Sequence, residues 1–183
     1  MQEHIKAIIQ AMGEDPNREG LKKTPERVER AYQFFTKGYA EDPYELIKGA
    51  TFPEKTNSMV VVKDIELYSL CEHHLLPFIG KCHVGYVPKD RIVGLSKIPR
   101  LVEIYARRLQ MQERLTDQVA QTLFEILMPR GVAVVVEATH LCMQMRGVEK
   151  QGSTMITSCM LGSFRDNMAT RTEFMDLIRH KRD

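Results

Sequence analysis

Met59-Val-Val-Val-Lys-Asp-Ile-Glu-Leu-Tyr68 and Gly80-Lys-Cys-His-Val-Gly-Tyr-Val87 are the two runs from which the fold is read. Both are rich in β-branched and aromatic residues with partial alternation, and both read as strands. Two helices follow. Ser96 can cap the first, Pro99 lies in its opening turn where a missing N–H is tolerated, and Leu101 and Tyr105 line its buried side. The second begins near Gln112-Glu113, carries Leu115, Val119, Leu123 and Ile126 at helical spacing, and stops at Pro129-Arg-Gly131. Val132 to Met145 and Ser153 to Leu161 return to strand character, and a helix from about Thr170 to Ile178 closes the chain. Upstream of the first strand, Ile5, Ile8, Ile9 and Met12 share one helical face that stops at Gly13-Glu-Asp-Pro16. A second helix opens at Thr24-Pro25, with Thr24 as N-cap, and groups Val28, Ala31, Tyr32 and Phe35 on one face.

The order strand, strand, helix, helix, strand, strand lacks the alternation that a parallel sheet requires. It predicts an α+β fold: an antiparallel four-stranded sheet with a helix pair on one face. Residues 1–50 form an N-terminal helical arm and 51–183 the body. Such a sheet keeps two open edges, which must be blunted, covered or joined to another chain. Oligomerisation through the sheet is the simplest expectation.

With 183 residues, 43% of them hydrophobic and 27% charged, the chain can bury one core. A formal charge of +2 and the absence of a long basic run argue against nucleic acid as a partner. From Lys81 to Arg114, however, eight Lys or Arg stand against three acids, enough to hold a small polyanion such as a nucleotide triphosphate. No signal-peptide or membrane-spanning pattern is present, so a soluble, cytoplasmic protein without membrane contact is expected.

The chemistry is concentrated in Cys71-Glu-His-His74 and His140-Leu-Cys142. Cys71, His74 and Cys142 are three metal-competent donors, and His73 and His140 are two further imidazoles beside them. Three protein ligands leave a zinc ion an open position, the pattern of a catalytic site, whereas structural sites are closed by four. A turn after the first strand could bring Cys71 and His74 onto one ion. Along the third strand His140, Cys142, Gln144 and Arg146 share a face, although those residues span about 20 Å of extended chain, so the strand must bend, as Gly147 permits, or Arg146 must reach back. Cys82 and Cys159 sit in apolar runs and read as packing residues. Lys97 and Arg100 sit at a helix N-terminus, which favours an anion; Arg107 and Arg108 read as a solvated helix face.

Leu21-Lys-Lys-Thr-Pro-Glu-Arg-Val28, Cys71-Glu-His-His-Leu-Leu-Pro-Phe78, Val93-Gly-Leu-Ser-Lys-Ile-Pro-Arg100, Gln112-Glu-Arg-Leu-Thr116 and His140-Leu-Cys-Met-Gln-Met-Arg-Gly-Val148 together give the chain its resemblance to the GTP cyclohydrolase I family. The resemblance implies the tunnelling fold, in which subunit sheets join into a barrel, and a homodecamer of two stacked pentamers with sites between subunits. It implies Zn2+ held by Cys71, His74 and Cys142, with His73 and His140 transferring protons. It further implies that Glu113 accepts hydrogen bonds from guanine, with Gln112 beside it among the substrate-binding residues. Ser96, Lys97, Arg100 and Arg146, with Arg27, would contact the triphosphate. The implied reaction opens the guanine imidazole ring of GTP, releases formate and yields 7,8-dihydroneopterin triphosphate, for folate or tetrahydrobiopterin synthesis.

Overall fold

The computed structural model describes residues 1–179; the end of the body, 180–183, lies outside the described residues. The helices are α1 (Gln2–Ala11), α2 (Thr24–Phe35), α3 (Pro43–Lys48), α4 (Lys97–Ala106), α5 (Gln112–Leu127), α6 (Leu141–Gln144), α7 (Ser163–Asp166) and α8 (Met168–Arg179). The strands are β1 (Thr51–Pro53), β2 (Val60–Cys71), β3 (Pro77–Val87), β4 (Arg91–Val93), β5 (Leu109–Gln110), β6 (Gly131–His140) and β7 (Met155–Gly162).

The fold is α+β, and its main sheet has five strands in the order β5-β2-β3-β6-β7 where four are expected. The extra strand is only two residues long, too short for any periodicity. It runs parallel to the end of β2, with Leu70 opposite Leu109 and Cys71 opposite Gln110. The other neighbours are antiparallel. A separate two-stranded ribbon pairs β1 with β4.

Two cores sandwich the sheet. Leu67, Phe78, Val84 and Val134 pack with Leu101 of α4 and Leu115 of α5 on one face. Ala133, Val135 and Met160 pack with Phe164 and Phe174 of α7 and α8 on the other. Because β6 is covered on both faces, its sequence is a continuous apolar run and not an alternating one. The expected helix pair is thus present, but the C-terminal helices cover part of the opposite face as well. Cys82 and Cys159 are buried as expected, and burial pushes their thiols up to about 12 and about 11.

The strand expected from Val132 to Met145 stops at His140 and turns into α6. The shared face proposed for His140, Cys142, Gln144 and Arg146 is therefore replaced by a helical turn, in which positions three and four apart are neighbours. Thr24 lies inside α2, where Lys23 is the N-cap without a side-chain bond, and Ser96 flanks α4 without one. Side-chain caps do form on α3, where Asp42 accepts from the N–H groups of Tyr44 at 2.8 Å and Glu45 at 3.2 Å, and on α8, where Asn167 accepts the Thr170 N–H at 3.2 Å.

Arg107 and Arg108 are not a solvated face. Arg107 donates to Glu103 at 2.8 Å and lies 4.7 Å from the Phe34 ring centre. Arg108 donates to the Gly38 carbonyl at 3.1 Å and stacks near Tyr39 and Tyr105. Cation–π contact and carbonyl recognition make both arginines the join between the N-terminal helices and α4. Gly38 completes it: its N–H donates to the Arg107 carbonyl at 3.0 Å, and a methyl there would overlap the Ile104 carbonyl.

Gly38→Ala should therefore destabilise the protein by about 2 kcal/mol or more in chemical denaturation, since backbone and not a movable side chain fills the space. A second expectation concerns His83, buried on β3, whose Nδ1 accepts the Asp64 N–H at 3.1 Å. Burial lowers its pKa below the ordinary value. The unfolded chain then binds the proton more readily, so stability should fall as pH drops through about 6.5. His83→Gln should flatten that dependence in unfolding measured between pH 7 and 5.

Candidate metal centre and active site

Two strand ends build the site. β2 and β6 both lie against β3, with Leu70 opposite Pro77 and Phe78 opposite His140. Cys71 therefore ends β2 on one side of β3, while His140 ends β6 on the other. After Cys71 the chain makes a tight loop: the Cys71 carbonyl accepts the Leu75 N–H at 2.9 Å, and the Cys71 N–H donates to the Leu76 carbonyl at 2.9 Å. Leu75 takes a left-handed backbone, φ 55°, to close it. The loop turns His74 back beside Cys71, and α6 turns Cys142 inward. The ligand atoms of Cys71, His74 and Cys142 all lie within 4.8 Å of one another.

Two thiols and one imidazole are a donor set that suits zinc. Burial, and then the adjacent Cys71 thiol, raise the Cys142 pKa. Two thiolates this close repel unless a cation sits between them, so the donors fit a metal ion.

A cavity of about 180 Å3 collects Cys71, His73, His74, Gln112, Glu113, His140 and Cys142. His73 is exposed, with Nδ1 3.9 Å from the Cys71 sulfur. The His140 ring lies flat on Phe78, with centroids 4.7 Å apart and planes 6° from parallel. Its Nε2 sits 2.8 Å from Gln112 Oε1.

Gln112 is 1% exposed, and its side-chain amide is bonded to partners within the protein. Its amide nitrogen donates to the Val136 and Met155 carbonyls, both at 3.0 Å. Carbonyls only accept, so the amide cannot be flipped and Oε1 must face His140. His140 consequently carries its hydrogen on Nε2, leaving Nδ1 as the nitrogen that can exchange a proton. Burial lowers the His140 pKa, with Glu113 acting in the opposite direction. Sequence spacing could not reveal this bond, because its partners come from α5, β6 and β7.

The expected phosphate-binding cations are not gathered at this cavity. Arg100 lines a hollow with Val62 to Glu66 of β2, about 17 to 30 Å along the strand from Cys71. Ser96 and Lys97 begin the same helix. Arg146 is exposed just beyond α6, and Arg27 is exposed on α2.

The family model for GTP cyclohydrolase I matches residues 1–179. The chain is 60% identical over 179 residues to GTP cyclohydrolase 1 of Leptospira biflexa, covering 98% of each chain. It is 55% identical over 176 residues to GTP cyclohydrolase 1 of Chromohalobacter salexigens, covering 96% of each. A crystal structure of the apo archaeosine synthase QueF-Like superposes with a TM-score of 0.50 at 18% identity, over 59% of this chain and 97% of that one, a likeness of fold alone. With a family model spanning all the described residues and full-length relatives at this identity, the chain belongs to the GTP cyclohydrolase I family.

Proposed function

We propose that this protein is a zinc-dependent GTP cyclohydrolase I that opens the guanine imidazole ring of GTP, releases formate and forms 7,8-dihydroneopterin triphosphate. The observation that carries the reading is the meeting of the Cys71, His74 and Cys142 donors with His140 and Glu113 in one cavity. Zinc bound by the three donors would supply Lewis-acid activation of water near the purine C8.

The chain's own groups account for the rest. Glu113 is exposed and lines the cavity, so its carboxylate is free to accept the guanine N1–H and amino hydrogens. His140, held by Gln112 and Phe78, presents Nδ1 for proton exchange at the purine N7. A base fixed in one tautomer and one ring plane needs no reorganisation when the proton moves. Exposed on the loop, His73 suits the later proton transfers of ring opening and ribose rearrangement. Ser96, Lys97, Arg100, Arg146 and Arg27 would grip the triphosphate, and that remote binding energy orients the base.

We further infer that the site is shared between subunits of a decamer of two pentamers with a barrel of joined sheets, working in the cytoplasm. Arg100 lies toward the far end of β2 from Cys71, so a neighbouring copy is the natural source of the cations. Two open edges support the barrel. Among the described residues β2 pairs on its outer side only through Leu70 and Cys71, and β7 ends the sheet with Ile156 63% exposed. Among the described residues no helix is long and apolar enough to cross a membrane.

Purified protein should release formate from GTP with the appearance of pterin fluorescence, lose both on chelation, and regain them with zinc. Stoichiometrically zinc-loaded protein that yields neither product would sink the assignment. Arg100→Ala and His140→Ala should each reduce activity at least about a hundredfold. Co-assembled from a mixture of the two inactive chains, the enzyme should recover part of the activity; no recovery would mean that each site belongs to one chain.

A further inference from the structure

Glu72 lies inside the metal-binding loop, and its carboxylate takes both arms of the Arg114 guanidinium: Oε2 to Nη1 at 2.6 Å and Oε1 to Nη2 at 3.0 Å. A two-point fork of this kind fixes direction as well as charge. The backbone bridges the same two elements. The Glu72 N–H donates to the Gln110 carbonyl at 3.0 Å. Only Met111, extended at φ −103° and ψ 143°, separates Gln110 from the first residue of α5. One peptide bond donor and one side-chain fork thus tie the loop carrying Cys71, His73 and His74 to the turn carrying Gln112 and Glu113.

Glu113, in contrast, has no hydrogen-bond or ion-pair partner among the described residues. Arg114 follows it in sequence, and the two together line a second, open hollow beside α5, next to the cavity of the metal donors. Released from Glu72, the guanidinium is a cation able to neutralise the Glu113 carboxylate. The fork is partly exposed, 40% for Arg114 and 29% for Glu72, so its weight in global stability is small and its effect is local.

We propose that Glu72 and Arg114 are positioning residues with two tasks. Their fork sets the spacing between the metal loop and the first turn of α5, and it sequesters Arg114 so that Glu113 stays free for the substrate. The second task rests on the assignment of Glu113 to guanine.

Hydrogen exchange across residues 71–76 of the assembled full-length protein reads the first task without nucleotide. Glu72→Gln and Arg114→Gln should each speed exchange there about tenfold, and the double variant no further, because both remove one link. Thermal midpoints should stay within about 3 °C of the wild type, as for a surface ion pair. GTP kinetics read the second task. Glu72→Gln leaves the cation free and should raise KM about tenfold with kcat within about twofold, whereas Arg114→Gln removes the cation and should raise KM less. The double variant should match Arg114→Gln. Unchanged exchange in both single variants, or additive effects in the double, overturns the link. Equal KM increases in the two single variants overturn the sequestration. Coupled exchange in a protein that does not turn over GTP upholds the link while sinking the guanine assignment.

Discussion

The register of β3 against its two neighbours is the constraint on which the rest depends. With Phe78 set between Ser69 of β2 and His140 of β6, the ends of two strands distant in sequence arrive at one edge of the sheet. Side chains alternate between faces, so a slip by one residue on either side would send His140 to the opposite face and part it from the Phe78 ring. That register is well protected. Leu67, Phe78, Val84 and Val134 are fully buried against α4 and α5, so slippage would expose the whole set to water.

What the register brings together, hydrogen bonding then orients. Gln112 belongs to the first turn of α5, yet its amide is anchored to carbonyls of β6 and β7 and its oxygen to His140. Helix, sheet and imidazole are thereby one unit, and the tautomer of His140 follows from carbonyls that cannot donate. The loop after β2 is attached to the same helix from the other side, through Glu72 and the short parallel pairing at Gln110. The metal-competent donors, the His140 imidazole and the Glu113 carboxylate therefore share a frame of backbone and buried amide, the rigidity that pre-organised chemistry needs.

Away from this centre the molecule is less complete. The N-terminal helices are fastened to α4 through Gly38, Arg107 and Arg108, while Phe34, Tyr68 and Ile79 stay substantially exposed around an apolar hollow. Among the described residues, two sheet edges lack strand partners over most of their length. A chain that concentrates its metal donors at one end of β2 and its cations toward the other has an architecture suited to assembly with copies of itself.

Local pattern determined the long elements and picked out the cluster of metal-competent donors. Helices with four apolar positions at helical spacing, such as Leu115, Val119, Leu123 and Ile126, and strands rich in β-branched residues are legible because each residue is judged against near neighbours alone. The two clusters at residues 71–74 and 140–142 were legible for the same reason: metal-competent side chains lie close together in sequence. Tertiary structure alone decided what came from distance. The strand at Leu109-Gln110 is too short to have a period, and the turn from β6 into α6 after His140 breaks an apolar run that could have continued as strand. The tasks of Gln112, Arg107 and Arg108 depend on partners dozens of residues away, whose positions are set by packing that no local window contains.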